Sequence, residues 1–151
     1  MNTTQDRLNF FSLFKRNFIF KFKKKIDIDN HNLKNSSLDF LFNHYNTDKG
    51  SVFNKNLGSG FTRFYENHLD KFKNDNINIL EIGSYSGASA AAFAKYFPNS
   101  KIYCLDINLR NFIYKSKRIF PFGIDSGNKK MLVNFFEKID FFNKINYFDV
   151  I

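Results

Sequence analysis

The segment Glu81-Ile82-Gly83-Ser84-Tyr85-Ser86-Gly87 combines a carboxylate with two glycines at close spacing. An apolar run from Ile77 to Ile82 leads into it, and an alanine-rich stretch follows from Ala88. Gly83 permits a sharp turn where a side chain would obstruct. Gly87 sits where backbone must approach either a ligand or the helix that follows. The amide N–H groups opening that helix suit an anionic group such as a carboxylate. Asp106 closes a second apolar run, 23 residues after Gly83. A strand-end carboxylate can accept both hydroxyl hydrogens of a ribose, the geometry shared by nucleotide-type cofactors. Asp125, just past a third run, is a candidate to receive the adenine amino group.

These residues need a scaffold of alternating strands and helices. Ile77 to Gly83 is a short strand ending in the glycine turn, and Ala88 to Phe97 is a helix stopped by Pro98-Asn99-Ser100. Lys101 to Ile107 is a second strand, and Asn108 to Lys117 is a short helix or turn. Arg118 to Gly123 is a third strand, which Pro121 assigns to a sheet edge. Asn128 to Ile139 is a helix with Met131, Leu132, Phe135 and Phe136 inward, and Phe148 to Ile151 opens a fourth strand. This order predicts an α/β fold with a parallel, right-handed sheet. Ligands then bind beyond the carboxyl ends of the strands, at Gly83–Gly87, Asp106 and Asp125.

Upstream, Ser36 or Ser37 caps a helix from Leu38 to Tyr45, and the residues from Asn46 to Gly60 form a loop. A second helix places Phe61, Phe64, Tyr65, His68, Leu69 and Phe72 on one face. Asp27 to Ser37 is polar and Asn-rich, as a linker would be. The expected organisation is a basic, Phe-rich arm and linker (1–37), a helical cap segment (38–76) and a cofactor-binding domain (77–151).

The 151 residues carry a net charge of +9, but seven basic side chains and only Asp6 fall within Met1–Lys25. The remaining residues are nearly balanced, so the charge does not predict a nucleic-acid partner. The arm also holds Phe11, Phe14, Phe18 and Phe22 at helical spacing, with Lys15 and Arg16 interrupting that face. Two readings follow: an amphipathic helix touching anionic lipid through residues 8–25, or an accessory helix packed on the domain. A single cysteine, Cys104, excludes internal disulfides and a Cys-rich zinc site, and it reads as a buried strand residue. His31, His44 and His68 lack metal-ligand spacing. No apolar run approaches a transmembrane length and no signal peptide is evident, so a reducing, cytoplasmic setting is expected.

Competing motifs fail on particular residues. A dinucleotide fingerprint needs glycine at 85 and 88, where Tyr85 and Ala88 stand. A nucleophile elbow needs serine at 85. The remaining pattern, E-x-G-x-x-x-G followed by a strand-end Asp, resembles motif I of class I S-adenosylmethionine-dependent methyltransferases, with Tyr85 replacing the usual middle glycine. The resemblance extends to Tyr45–Ser51, Phe61–Glu66, Gly87-Ala88-Ser89, Tyr96–Asn99 and Asp106-Ile107. Together these segments look like the macrocin and mycinamicin type of sugar O-methyltransferase, over about Leu38 to Ile151.

That resemblance implies the N-terminal half of a Rossmann-like class I methyltransferase sheet, preceded by a helical segment. Glu81, Gly83, Ser84 and Gly87 would shape the methionine side of the S-adenosyl-L-methionine site. Asp106 would hold the ribose, and Asp125 would lie near the adenine. The Thr47-Asp48-Lys49 loop would cap the site, with Lys49 facing the cofactor carboxylate. In the family, Mg2+ ligands and the base belong to an acidic segment that would start beyond Ile151. The chain is therefore expected to be a truncated portion, inactive alone, whose acceptor would be a saccharide or other small-molecule hydroxyl. A non-catalytic binding module is the alternative, and an NAD-dependent oxidoreductase is disfavoured by Tyr85. Taken singly, Glu81 as a loop cap and Asp106 or Asp125 as turn residues remain the bland readings.

Overall fold

A computed structural model describes residues 10–33 and 35–151. The start of the basic arm, with Asp6, Arg7 and Leu8, lies outside the described residues. The elements in chain order are α1 (Phe10–Phe22), β1 (Ile26–Asp27), α2 (Leu38–His44), β2 (Val52–Phe53), β3 (Asn56–Leu57) and α3 (Thr62–Leu69). They continue with β4 (Asn78–Ile82), α4 (Ala88–Tyr96), β5 (Lys101–Asp106), β6 (Tyr114–Lys115), β7 (Ile119–Gly123) and α5 (Lys129–Asn143). Short 3-10 turns follow α3 and β5.

The central sheet is parallel, in the order β4-β5-β7, with β5 in the middle. Pro121 sits on the edge strand β7, where the missing N–H interrupts no further ladder. At the other edge, Val150 bridges Ile79 in parallel, and the Leu80 amide donates to the Val150 carbonyl at 2.9 Å. The fourth run thus lies beside β4.

Strand periodicity divides the side chains between two cores. Ile79, Ile102, Cys104 and Ile119 pack with α2 and α4, whereas Leu80, Tyr103 and Leu105 pack with Phe135 and Ile139 of α5. Helix α4 is buried almost all round, which its alanines allow by letting α2 approach closely. Phe42 meets Phe93 edge-on at 5.4 Å across that contact. Arg118 reaches the carbonyls of Ala94, Phe97 and Ser100 at the carboxyl end of α4, where a cation satisfies unpaired acceptors.

Several details depart from the sequence pattern. On α5, Ile139 is buried and Phe136 is exposed. On α3, Phe61, Phe64 and His68 are exposed, and only Tyr65 and Leu69, with Phe72 beyond them, pack on the core. The loop after α2 contains the β2–β3 hairpin, turned by Asn54 and Lys55, both at positive φ. The Asn-rich stretch is bound to the body: β1 pairs in parallel with β6, Ile28 is fully buried, and Asp29 accepts from Ser116 Oγ and the Lys117 amide.

Helix α1 also packs on the body, but not through its phenylalanine stripe. Leu13, Arg16, Asn17 and Phe20 face inward. The Arg16 guanidinium donates to the Ile107 carbonyl at 3.1 Å, and the Asn17 amide donates to the Gly123 carbonyl at 2.9 Å. Both acceptors lie at the carboxyl edge of the sheet. Arg16 therefore stands opposite the stripe and does not interrupt it.

Candidate functional site

The chain leaves β4 and curls over the end of β5. Gly83, at φ +81°, and Ser84 both donate their amides to the Leu105 carbonyl, at 2.8 and 3.3 Å. A Cβ at Gly83 would project into open space, so the glycine serves the turn and leaves its outer side bare. Ser84 is buried, with its hydroxyl donating to the Glu81 carbonyl at 3.2 Å. Tyr85 follows at φ +45°, with its side chain exposed. The tyrosine keeps the left-handed backbone that a glycine would adopt easily, at a strain of about 1 kcal/mol or more.

Gly87, at φ +76°, is the N-cap of α4 and supplies no capping side chain. Within the chain its close neighbour is a ring from the segment that follows β5. A Cβ there would lie 2.5 Å from Cζ of the buried Phe112 ring. Phe112 in turn meets Phe20 of α1 edge-on at 6.1 Å. The amides of the first turn of α4 have no intrahelical acceptor and open toward the loop.

Asp106 sits at the end of β5 with both oxygens engaged by backbone. Oδ2 accepts from the Tyr85 amide and Oδ1 from the Asn108 amide, each at 2.6 Å. The carboxylate thus ties together the two loops that follow β4 and β5. Each oxygen keeps a further lone pair for a hydroxyl donor.

Glu81 faces the other side of the turn. Its Oε1 accepts from Ser89 Oγ, and Lys49 Nζ stands 3.9 Å away. Its Oε2 is buried without a hydrogen-bond partner. Burial pushes this carboxyl above its ordinary range, against the opposing pull of Ser89 and Lys49. An orphaned buried carboxylate oxygen is an acceptor prepared for a donor, and the ammonium of an amino-acid ligand has that chemistry. Burial likewise raises the Cys104 thiol well above its usual value, which suits packing and not nucleophilic attack.

Two cavities meet at this turn. One, of about 590 Å³, lies between the Tyr45–Lys49 loop and residues 83–89. The other, of about 250 Å³, is more apolar and is lined by Tyr65, Glu81, Phe93 and Val150. Lys49 and Gly83 line both. Glu81, Gly83 and Ser84, with the Lys49 loop, line these cavities, and Asp106, which lines neither, is joined to the same turn through the Tyr85 amide. Asp125 stands apart. It lines a separate cavity of about 600 Å³ beside α5, and its Oδ1 accepts from the Gly127 amide at 2.9 Å in a local turn. Ser89, in the first turn of α4, faces back to Glu81 and joins the site without any motif to announce it. Among the described residues no cluster of three His, Cys, Asp or Glu side chains is arranged to hold a metal ion.

No family model matches the chain, and no curated protein matches it. Solved structures do. The chain is similar to the MycE methyltransferase of the mycinamycin biosynthetic pathway in complex with Mg, SAH and mycinamycin VI, with TM-score 0.57 and 23% identity over 70% of this chain. Three strands of a Rossmann-like α/β fold are present. Two crystal forms of MycE with Mg and SAH match similarly, with TM-scores of 0.56 and 0.57 and identities of 24% and 23%, again over 70% of this chain. The chain spans only 29%, 28% and 27% of those three chains.

Proposed function

We propose that the chain is the cofactor-binding part of an S-adenosylmethionine-dependent methyltransferase acting on a hydroxyl of a saccharide or other small molecule. The observation that carries this reading is the placement of Glu81, Lys49 and Asp106 around one glycine turn. Glu81 Oε2 offers an unfilled acceptor to a ligand ammonium. Lys49 and the open first turn of α4 complement a ligand carboxylate. Asp106 accepts from ribose hydroxyls while its backbone bonds hold it still. One ligand class carries all three groups: an amino acid joined to a nucleoside. S-adenosylmethionine supplies an activated methyl group, and these residues bind and orient it. Tyr65 lines the apolar cavity beside Glu81, and an acceptor entering that cavity would meet it.

The experiment is calorimetric titration of the full chain with S-adenosylhomocysteine and, separately, with NAD. Saturable binding of the first alone is expected. An Asp106→Ala variant should weaken it by about 1–3 kcal/mol, the loss of one to a few hydrogen bonds. Binding of NAD alone, or unchanged affinity in the variant, would refute the assignment.

A further inference from the structure

Helix α1 has two faces, and only one of them is used by the body. Leu13, Arg16, Asn17 and Phe20 are turned to the sheet edge and the Phe112 loop. The opposite face holds Phe14, Phe18 and Phe22, which are 61%, 53% and 76% exposed. Their rings contact one another in sequence, with centroids 6.4 and 5.0 Å apart, so they form one continuous apolar strip. At 3.6 residues per turn, Lys15 and Lys21 fall on opposite flanks of that strip. Both are exposed, as is Lys24 just past the helix. From residue 10 to residue 25 the sequence holds six basic side chains and no acid. Three of the six are engaged within the chain: Arg16 with the Ile107 carbonyl, Lys23 with the Arg110 carbonyl at 2.6 Å, and Lys25 with the Phe20 carbonyl at 2.8 Å.

We propose that α1 is an interfacial anchor that holds this domain on an anionic lipid bilayer. The charge pattern selects the occupant. A bilayer interface takes the phenylalanines into the acyl boundary while lysines on both flanks reach lipid phosphates. A second copy of the chain would set lysine flanks against lysine flanks. The helix holds 13 described residues, and no helix among the described residues is long and apolar enough to cross a membrane, so α1 is assigned to the interface plane. The sequence poses lipid contact and domain packing as alternatives; one helix with two faces accommodates both. Because the inner face bonds carbonyls at the carboxyl edge of the sheet, a docked α1 would set that edge beside the bilayer. The proposal stands independently of the ligand bound there.

The test is flotation of the full chain with vesicles of phosphatidylcholine, with and without phosphatidylserine. Binding is expected only with phosphatidylserine, and it should weaken as salt shortens the Debye length. A Phe14→Ser/Phe18→Ser/Phe22→Ser variant should lose flotation, and a Lys15→Glu/Lys21→Glu/Lys24→Glu variant should bind at least tenfold more weakly. Both should keep the wild-type circular dichroism and melting temperature, because the replaced side chains are exposed. Replacing Phe141 and Phe142 by Ser, which removes exposed apolar surface elsewhere, should leave flotation unchanged. Equal binding to neutral vesicles, persistent flotation of the phenylalanine variant, or its unfolding would each overturn the proposal. So would absence of vesicle binding together with self-association or RNA binding that the same substitutions abolish.

Discussion

Replacing Glu81 by Gln separates the two demands placed on that carboxyl. At an effective dielectric of about 20, opposite charges some 4 Å apart attract by about 4 kcal/mol, and less when one is partly exposed as Lys49 is. Removing a carboxylate from water costs several kcal/mol, and here Oε2 recovers no hydrogen bond. Burial therefore prevails, and the carboxyl is raised from its ordinary 4.5. A raised native value means that the unfolded chain ionises first. The stability Glu81 contributes is complete below the ordinary value and declines as pH rises through the native one. The glutamine of the variant does not titrate. Urea midpoints followed by far-UV circular dichroism, since the chain lacks Trp, should show the wild type losing ground to the variant as pH rises above about 4.5. Asp27, Asp29 and Asp39 are held low by hydrogen bonds, and their acid-side losses cancel in the comparison. Ligand binding should reverse the preference. An ammonium on Oε2 favours the charged form, so wild-type affinity for S-adenosylhomocysteine should rise over the same pH range. The variant should bind about 10- to 150-fold more weakly at high pH, the equivalent of one charge-assisted bond of about 1.5–3 kcal/mol. A difference in midpoint that does not vary with pH would refute the buried, raised carboxyl. Identical affinities would refute its role toward the ligand.

Three further substitutions test the architecture by urea denaturation. Tyr85→Gly should change stability by less than about 1 kcal/mol, because relief of the left-handed strain is offset by the greater freedom of glycine in the unfolded chain; a larger loss would show that the exposed ring has a partner. Gly87→Ala should cost about 2–4 kcal/mol from overpacking and backbone strain. Adding Phe112→Leu should recover part of the overpacking, and strict additivity of the two would refute the contact. Arg118→Met should cost about 1–3 kcal/mol by stripping three carbonyls at the end of α4 of their donor.

Much of the scaffold was legible because its signals are local. Apolar runs ending at Ile82 and Asp106 mark strands, and the glycine at 83 marks the turn out of β4. The left-handed backbone at residue 85 was not legible, since tyrosine conceals it. Pairing of β1 with β6 escaped detection because two residues carry no periodicity. The β2–β3 turn is Asn-Lys, which lacks the glycine that usually announces such a turn. On α1, periodicity found the phenylalanine stripe correctly. It could not show that the body would choose the other face, where Arg16 and Asn17 satisfy strand-end carbonyls that no apolar side chain could.

The contact between Gly87 and Phe112 also has a history built into it. The ring at 112 occupies the space that any side chain at 87 would need, and Phe20 closes the ring from behind. Alanine at 87 becomes tolerable only after 112 has become smaller, whereas a smaller residue at 112 first opens a void beneath α1. Each residue thus entrenches the other. Drift through either single change therefore crosses a less stable intermediate.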